Sequence, residues 1–389
     1  MNKLTLKNIK KITLSASLIA LFGGTLVACG NKSNDTPPKP LVEFKPNLNA
    51  KYVWNLSIGN GNGGQIDLTL TPTSDHGIIY SASFDGIVSA VNDQTGKRLW
   101  STNTRLQISS PIAVSGDFVV AGSLRGTLVA LNKTNGEILW NSALPSSLFS
   151  KPSIVGSVIY TQTHDGSVSA YNLTDGKQLW TQSIPTPDLM LVGNSSPIIY
   201  EGLVIAGTSS GSLWGLKANS GEKEWDNPIA LPQSGSPAQQ MVDITATPII
   251  HNNTLYVATF QGNLISFNTK LGSMNWQKKT SVYRNITLGQ NALFAVGDQG
   301  ELTAYDLKTG DKLWQINELE GRKPSAPLYI NGLIAVGDYE GYVHIFNATN
   351  GKYMSRVEIG GDGISASPIE SSKNIIVQTN NGTLAAIKL

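Results

Sequence analysis

Short apolar runs recur along the chain at near-regular intervals, each bounded by glycine, asparagine, aspartate or proline; Ile78-Ile-Tyr80, Phe118-Val-Val120 and Leu333-Ile-Ala-Val336 are examples. This pattern predicts many short strands joined by tight turns. A second set of runs, such as Ile87-Val-Ser-Ala-Val91, lacks clean alternation of apolar and polar positions. Strands of that kind are expected where neighbouring layers bury both faces.

The runs belong to a longer period. A polar–Gly step is followed by a strand, a second glycine and then a tryptophan. The set appears as Gly86, Gly96, Trp100; Gly126, Gly136, Trp140; and Gly166, Gly176, Trp180. It continues as Gly211, Gly221, Trp225; Gly262, Gly272, Trp276; and Gly300, Gly310, Trp314. In all six the first glycine and the tryptophan are 14 residues apart. A seventh copy, with Gly341 and Gly351, has Ser355 at the tryptophan position, and an eighth starts at Gly382 and runs out at Leu389. Trp54, which precedes every copy's glycine, supplies the partner that the eighth lacks. Most units open on a proline (Pro72, Pro111, Pro152, Pro197, Pro248, Pro327, Pro368), and the sixth has Ile286-Thr-Leu instead.

A repeat of about forty residues built from short strands is the mark of a propeller. The expected fold is all-β: an eight-bladed β-propeller of four-stranded blades over residues 49–389, closed by N- and C-terminal segments that share the last blade. Such closure leaves only short, protected edges. The repeated glycines suit hairpin turns. The repeated tryptophans read as anchors between blades. Composition agrees, with 39 glycines and charged residues at only 14%.

The N-terminus reads differently. Lys3, Lys7, Lys10 and Lys11 precede an apolar run from Ile12 to Val27, the layout of a signal peptide over residues 1–28. Leu26-Val27-Ala28-Cys29 resembles the bacterial lipobox, in which the cysteine sulfur takes a diacylglycerol and cleavage precedes it. Several acyl chains on Cys29 would give stable membrane anchoring. Gly30 follows where an aspartate would retain an enteric-type lipoprotein in the inner membrane, so the expected location is the outer membrane, facing the periplasm. Residues 29–48, proline-rich and polar, are expected to be the lipidated cysteine and a flexible tether. Without the four leader lysines the chain carries 25 basic and 27 acidic residues. That balance gives no electrostatic footprint for nucleic acid.

Little in the body points to chemistry. Cys29 is the only cysteine, so no internal disulfide forms and no thiol nucleophile stands in the propeller. His76, His164, His251 and His344 fall in different units without metal-ligand spacing. His164 and His251 sit at turns and read as solvated. No hydrolase elbow, zinc-protease motif or phosphate loop is present. Gly59-Asn-Gly-Asn-Gly-Gly64 lacks a strand-then-helix context and reads as a flexible loop. No cofactor or metal is expected.

The breaks in the repeat are more telling. The distance from outer-strand Trp to the next proline is 11 after Trp100 and 12 after Trp140, but 17 after Trp180 and 23 after Trp225. The two long connections are consecutive and should emerge side by side on one rim of the disc. The first carries Leu189-Met-Leu-Val192 and the second runs from Asp226 to Thr247. Either the insertions are neutral and folded back, or they form a docking site for a protein.

Taken with the lipobox, the eight copies and the Trp54 closure, these loops resemble the BamB family of outer-membrane lipoproteins, whose propellers carry the quinoprotein-type repeat. Further echoes are Ser195-Ser-Pro197, Asp243-Ile-Thr-Ala-Thr-Pro248 and Gly337-Asp-Tyr-Glu-Gly-Tyr-Val-His344. The resemblance implies a non-catalytic scaffold docking on the periplasmic POTRA domains of the barrel-assembly protein BamA. It also implies contact with other subunits of the assembly complex and with nascent outer-membrane proteins. The family's Leu-x-Leu pair maps onto Leu189 and Leu191, followed by Val192 where the family has Arg. Of two acids in the second loop, Asp243 matches the first and Thr245 replaces the second. Two other readings stay open: an envelope scaffold for a different partner, and a quinoprotein dehydrogenase. The latter group carries adjacent paired cysteines and a calcium site, and a single Cys29 cannot supply the pair.

Overall fold

The computed structural model describes residues 37–389, apart from Ile66. The leader, Cys29 and the first part of the tether lie outside the described residues. The described chain forms 32 strands in eight four-stranded antiparallel sheets, with a single short 3-10 turn at Pro237–Gln240. Each sheet is one blade of a β-propeller. In blade 1 the strands Thr73–Asp75, Ile78–Ala82, Ile87–Asn92 and Arg98–Asn103 run from the axis outward. Blades 2 to 7 repeat that order. Blade 8 takes Ile369–Ser371, Asn374–Gln378 and Thr383–Lys388 from the C-terminal end and Lys51–Ser57 from the N-terminal end. Trp54 stands opposite Ala386 in that last pairing. The eight blades and their shared closure are as the repeat predicts.

The middle strands are buried on both faces, which explains their lack of alternation: four successive residues of Ile87–Asn92, Val88 to Val91, are buried. The core lies between blades. At the joint of blades 6 and 7, Phe294, Val296 and Leu302 meet Ile334, Val336 and Phe346.

The tryptophans fasten these joints. Trp100 donates its Nε1–H to the Lys133 carbonyl of the next blade at 2.9 Å, and its ring covers Gly136 there. Gly136 has φ +74°, and a Cβ on it would lie 2.4 Å from the Trp100 ring, so both backbone and space demand glycine. The turn before it is locked by Asn132, whose Oδ1 accepts from the N–H groups of Thr134 and Asn135. Trp54, Trp140, Trp180, Trp276 and Trp314 make the same bond to the following blade at 2.9–3.1 Å.

Two positions depart from the pattern. Trp225 lies over Gly215 of its own blade, while the next blade's Gly272 has open space above it. Gly215 stands where blades 1 to 3 have Ala90, Ala130 and Ala170, and the missing methyl lets the ring fold inward. Ser355 faces blade 8, whose third and fourth strands come from opposite chain ends, so no turn glycine is there for an indole to cover. Leu48 and Ala50 pack against the cluster of Ile330, Val357 and Ile387 instead.

The outer strand of each of blades 1 to 7 carries a register shift beside its third strand, as between Ala90 and Val91. The extra residue points outward, leaving Leu99, Leu139, Leu179 and Leu313 exposed. Bulges of this kind twist an edge and blunt its tendency to pair.

Residues 37–48 form no strand, yet they lie along blade 7. Lys39 donates its N–H to the Glu320 carbonyl at 3.0 Å, and Asn47 and Leu48 both donate to the Met354 carbonyl at 3.0 Å. Phe44 stacks on Tyr353 with ring centroids 4.6 Å apart. The sequence expects a free tether through residue 48; the structure holds this part as a strap. Its clasp is buried Arg322, which donates to the Lys39 carbonyl at 2.9 Å and to Asp338 Oδ2 from Nε at 2.9 Å and Nη2 at 2.7 Å. Glu340 also takes Arg322 Nη2. His344 is wholly buried, with Nε2 2.9 Å from Asp338 Oδ2 and Nδ1 3.2 Å from the Tyr353 hydroxyl. Neutral imidazole protonated on Nε2 satisfies both contacts. Burial accordingly pushes the His344 pKa down, against the pull of Asp338. Burial alone would raise Asp338, but bonds from His344, Tyr342 N–H and Arg322 outweigh it and hold the carboxyl below its usual range.

Candidate docking surface

The two long connections join outer to inner strands, so both emerge on one face of the disc, here the loop face. Pro185 and Pro187 stop the strand ending at Ser183 from continuing. In the second connection residues 231–240 are all exposed, and Leu231 is 73% exposed. The 3-10 turn there is pinned by Ser236 N–H donating to Gln239 Oε1 at 2.9 Å.

The two loops are tied together beneath their surface. Leu191 donates its N–H to Asp243 Oδ1 at 3.0 Å, and Ser196 N–H donates to Thr247 Oγ1 at 3.1 Å. The second loop is tied onward to blade 6: Thr245 Oγ1 donates to the Tyr283 carbonyl at 2.6 Å, and Thr247 N–H to Asn285 Oδ1 at 2.8 Å.

The five residues singled out from sequence therefore divide. Leu189 and Val192 are 45% and 51% exposed, with Leu191 half-buried between them. They form an outward apolar patch. Asp243 is fully buried and turned inward, which differs from the expected contact with a partner. Burial pushes its pKa up, opposed by the Leu191 N–H. Its other oxygen, Oδ2, has no hydrogen-bond partner among the described residues. Its carboxylate acts through the loop, holding Leu191 in place. Thr245 is half-buried, and its hydroxyl makes a bond that an acid at that position could not donate.

Sequence reasoning missed what lies between the loops. The lead-in segments of all eight blades enclose a funnel of about 990 Å³ at the axis, opening on the loop face. Leu189, Leu191, Val192 and Thr245 line it together with Phe149, Lys151 and Arg284. A proline-led entrance to seven of the eight blades was the available signal, because those segments meet at the axis.

The remaining candidates are structural. Gly59–Gly64 is no free loop: Asn62 N–H donates to the Asn380 carbonyl at 2.9 Å, and Phe84 N–H to the Gly61 carbonyl at 2.7 Å, sealing blade 8 to blade 1. His251 is exposed, whereas His164 is half-buried and edge-on to Phe149 at 5.4 Å. Among the described residues no group of three or more His, Cys, Asp or Glu is placed to hold a metal, and no helix is long and apolar enough to cross a membrane.

A family model described as outer membrane protein assembly factor BamB matches residues 84–316 and 298–389. The chain belongs to the BamB family. The BamB of Legionella pneumophila is 42% identical over 353 residues, covering 91% of this chain and 92% of that protein. The BamB of Francisella tularensis is 40% identical over 370 residues, covering 93% and 81%. Both are named outer membrane protein assembly factors. The crystal structure of BamB from Moraxella catarrhalis superposes with a TM-score of 0.80 at 24% identity, over 87% of this chain and all of that one. At that identity the likeness bears on the fold, and it agrees with the eight blades described above.

Proposed function

We propose that this chain is a non-catalytic scaffold of outer-membrane β-barrel assembly, anchored in the outer membrane through a lipid on Cys29 with its propeller in the periplasm. Its loop face docks on the POTRA domains of BamA and so supports assembly of outer-membrane proteins. The observation that carries the docking reading is the apolar patch of Leu189, Leu191 and Val192, exposed yet held from below by Asp243. A patch already fixed in its bound shape loses little freedom on association, which favours affinity. A few central, well-packed residues carry most of the binding energy of an interface. The bulged outer strands are poor templates for pairing, so the loop face rather than the rim is the contact surface.

The test is the double substitution Leu189→Asp with Leu191→Asp, made in the lipidated protein and followed by co-purification of BamA. Binding should weaken by about 100-fold or more. The bond from Leu191 N–H to Asp243 Oδ1 uses no side-chain atom of Leu191, so the thermal melt should stay near that of the parent. Full co-purification by the folded variant would contradict the reading.

A further inference from the structure

The charged lining of the funnel holds two cations and one acid. Its charged lining residues are Lys151, Arg284 and Asp67, and Asp67 is exposed. Lys151 stands just before Pro152 in blade 3. Its ammonium reaches past blade 2 to blade 1, where it donates to Thr73 Oγ1 at 2.9 Å. Thr73 gives its own proton to the Ile112 carbonyl at 2.6 Å. An ammonium has three donors, so two remain without a partner among the described residues. No carboxylate of the described residues stands within ion-pair distance of it. Burial pushes its pKa down.

Arg284 enters the same cavity from the lead-in of blade 6. Its guanidinium lies 5.1 Å from the Tyr283 ring centroid, and its Nε–H is buried without a partner among the described residues. Lys151 and Arg284 are half-buried, and a cation partly withdrawn from water with free donors is costly unless a counter-charge satisfies it. Charge-assisted bonds to an oxyanion do that most effectively, and a guanidinium matches carboxylate and phosphate geometry. Apolar Phe149 and Met241 on the lining leave room for a hydrocarbon portion beside the charge.

We propose that the funnel is a binding site for a small oxyanion, a carboxylate or a phosphate group, anchored on Lys151, with Arg284 adding positive charge from another part of the lining. The docking patch lines the mouth of the same funnel, but the anion site rests on Lys151 and Arg284 and stands whether or not that patch binds BamA. A bound anion favours the charged lysine, so affinity falls as pH rises through the range in which Lys151 loses its proton.

Calorimetric titration of the full chain with inorganic phosphate, and separately with hexanoate, tests it. Saturable binding of either supports the site, and which of the two saturates tells a phosphate from a carboxylate on an apolar chain. Lys151→Met should weaken that binding by about tenfold or more, the typical reach of a charge-assisted bond, and Arg284→Gln should weaken it by a smaller factor. Lys151→Arg should retain it, which separates loss of charge from loss of fold. Saturation by neither anion, or unchanged affinity in Lys151→Met, would overturn the assignment.

Discussion

Six of the seven repeat indoles, all but Trp225, cover a neighbour's glycine with the ring face and donate Nε1–H to a neighbour's carbonyl. Trp140 does both, over Gly176 and to Leu173. Replacing it by alanine leaves a cavity between blades 2 and 3 and strands that carbonyl. Trp140→Ala should cost about 3–5 kcal/mol in unfolding free energy, read by denaturant titration. Trp225→Ala should cost less, because its ring turns back on its own blade instead of tying two together. The indole ring was legible from spacing alone, since a glycine and a tryptophan at one fixed separation admit few explanations. Asp243 was not. Spacing places an acid in a loop but does not say which way its side chain points, and this one points inward to Leu191. Lys151 escaped notice for a similar reason: one lysine among many has no pattern, and only the fold brings it to the axis.

Among the elements, the strap over residues 37–48 was the least legible. Pro37, Pro38 and Pro40 deny it a strand ladder, and its contacts come from residues far along the chain. Arg322, Asp338 and His344 are separated from Lys39 by most of the propeller, so no local signal joins them. The Asp338 carboxyl is held below its usual range in the folded state, so the stability it supplies is present above the unfolded value, about 3.9, and is lost as pH falls through the folded value. Asp338 faces Arg322 and His344, with Glu340 on the same guanidinium. Asp338→Asn should cost about 3–5 kcal/mol at neutral pH, since it leaves a buried arginine short of its partner. The difference in melting temperature from the parent should shrink as the pH is lowered below about 4. A gap that stays constant into acid would contradict the network as drawn. The long loops lie between these extremes: their length and apolar content were readable, and their ties to each other needed the structure.

At the scale of the molecule, closure by both chain ends gives a stiff disc with two unlike faces. The loop face carries the apolar patch, the funnel mouth and the long connection around Leu231. The opposite face carries the short turns between third and fourth strands, including Leu271, which is 76% exposed. Exposure of a single leucine is ordinary, so Leu271 is a fair control for the patch. The most direct test of the account is photo-crosslinking in intact envelopes, with the reactive group placed at Leu189 in one variant and at Leu271 in another. The loop-face account predicts a crosslink to BamA from position 189 and none from position 271. Crosslinks to BamA from 271 but not from 189 would contradict it.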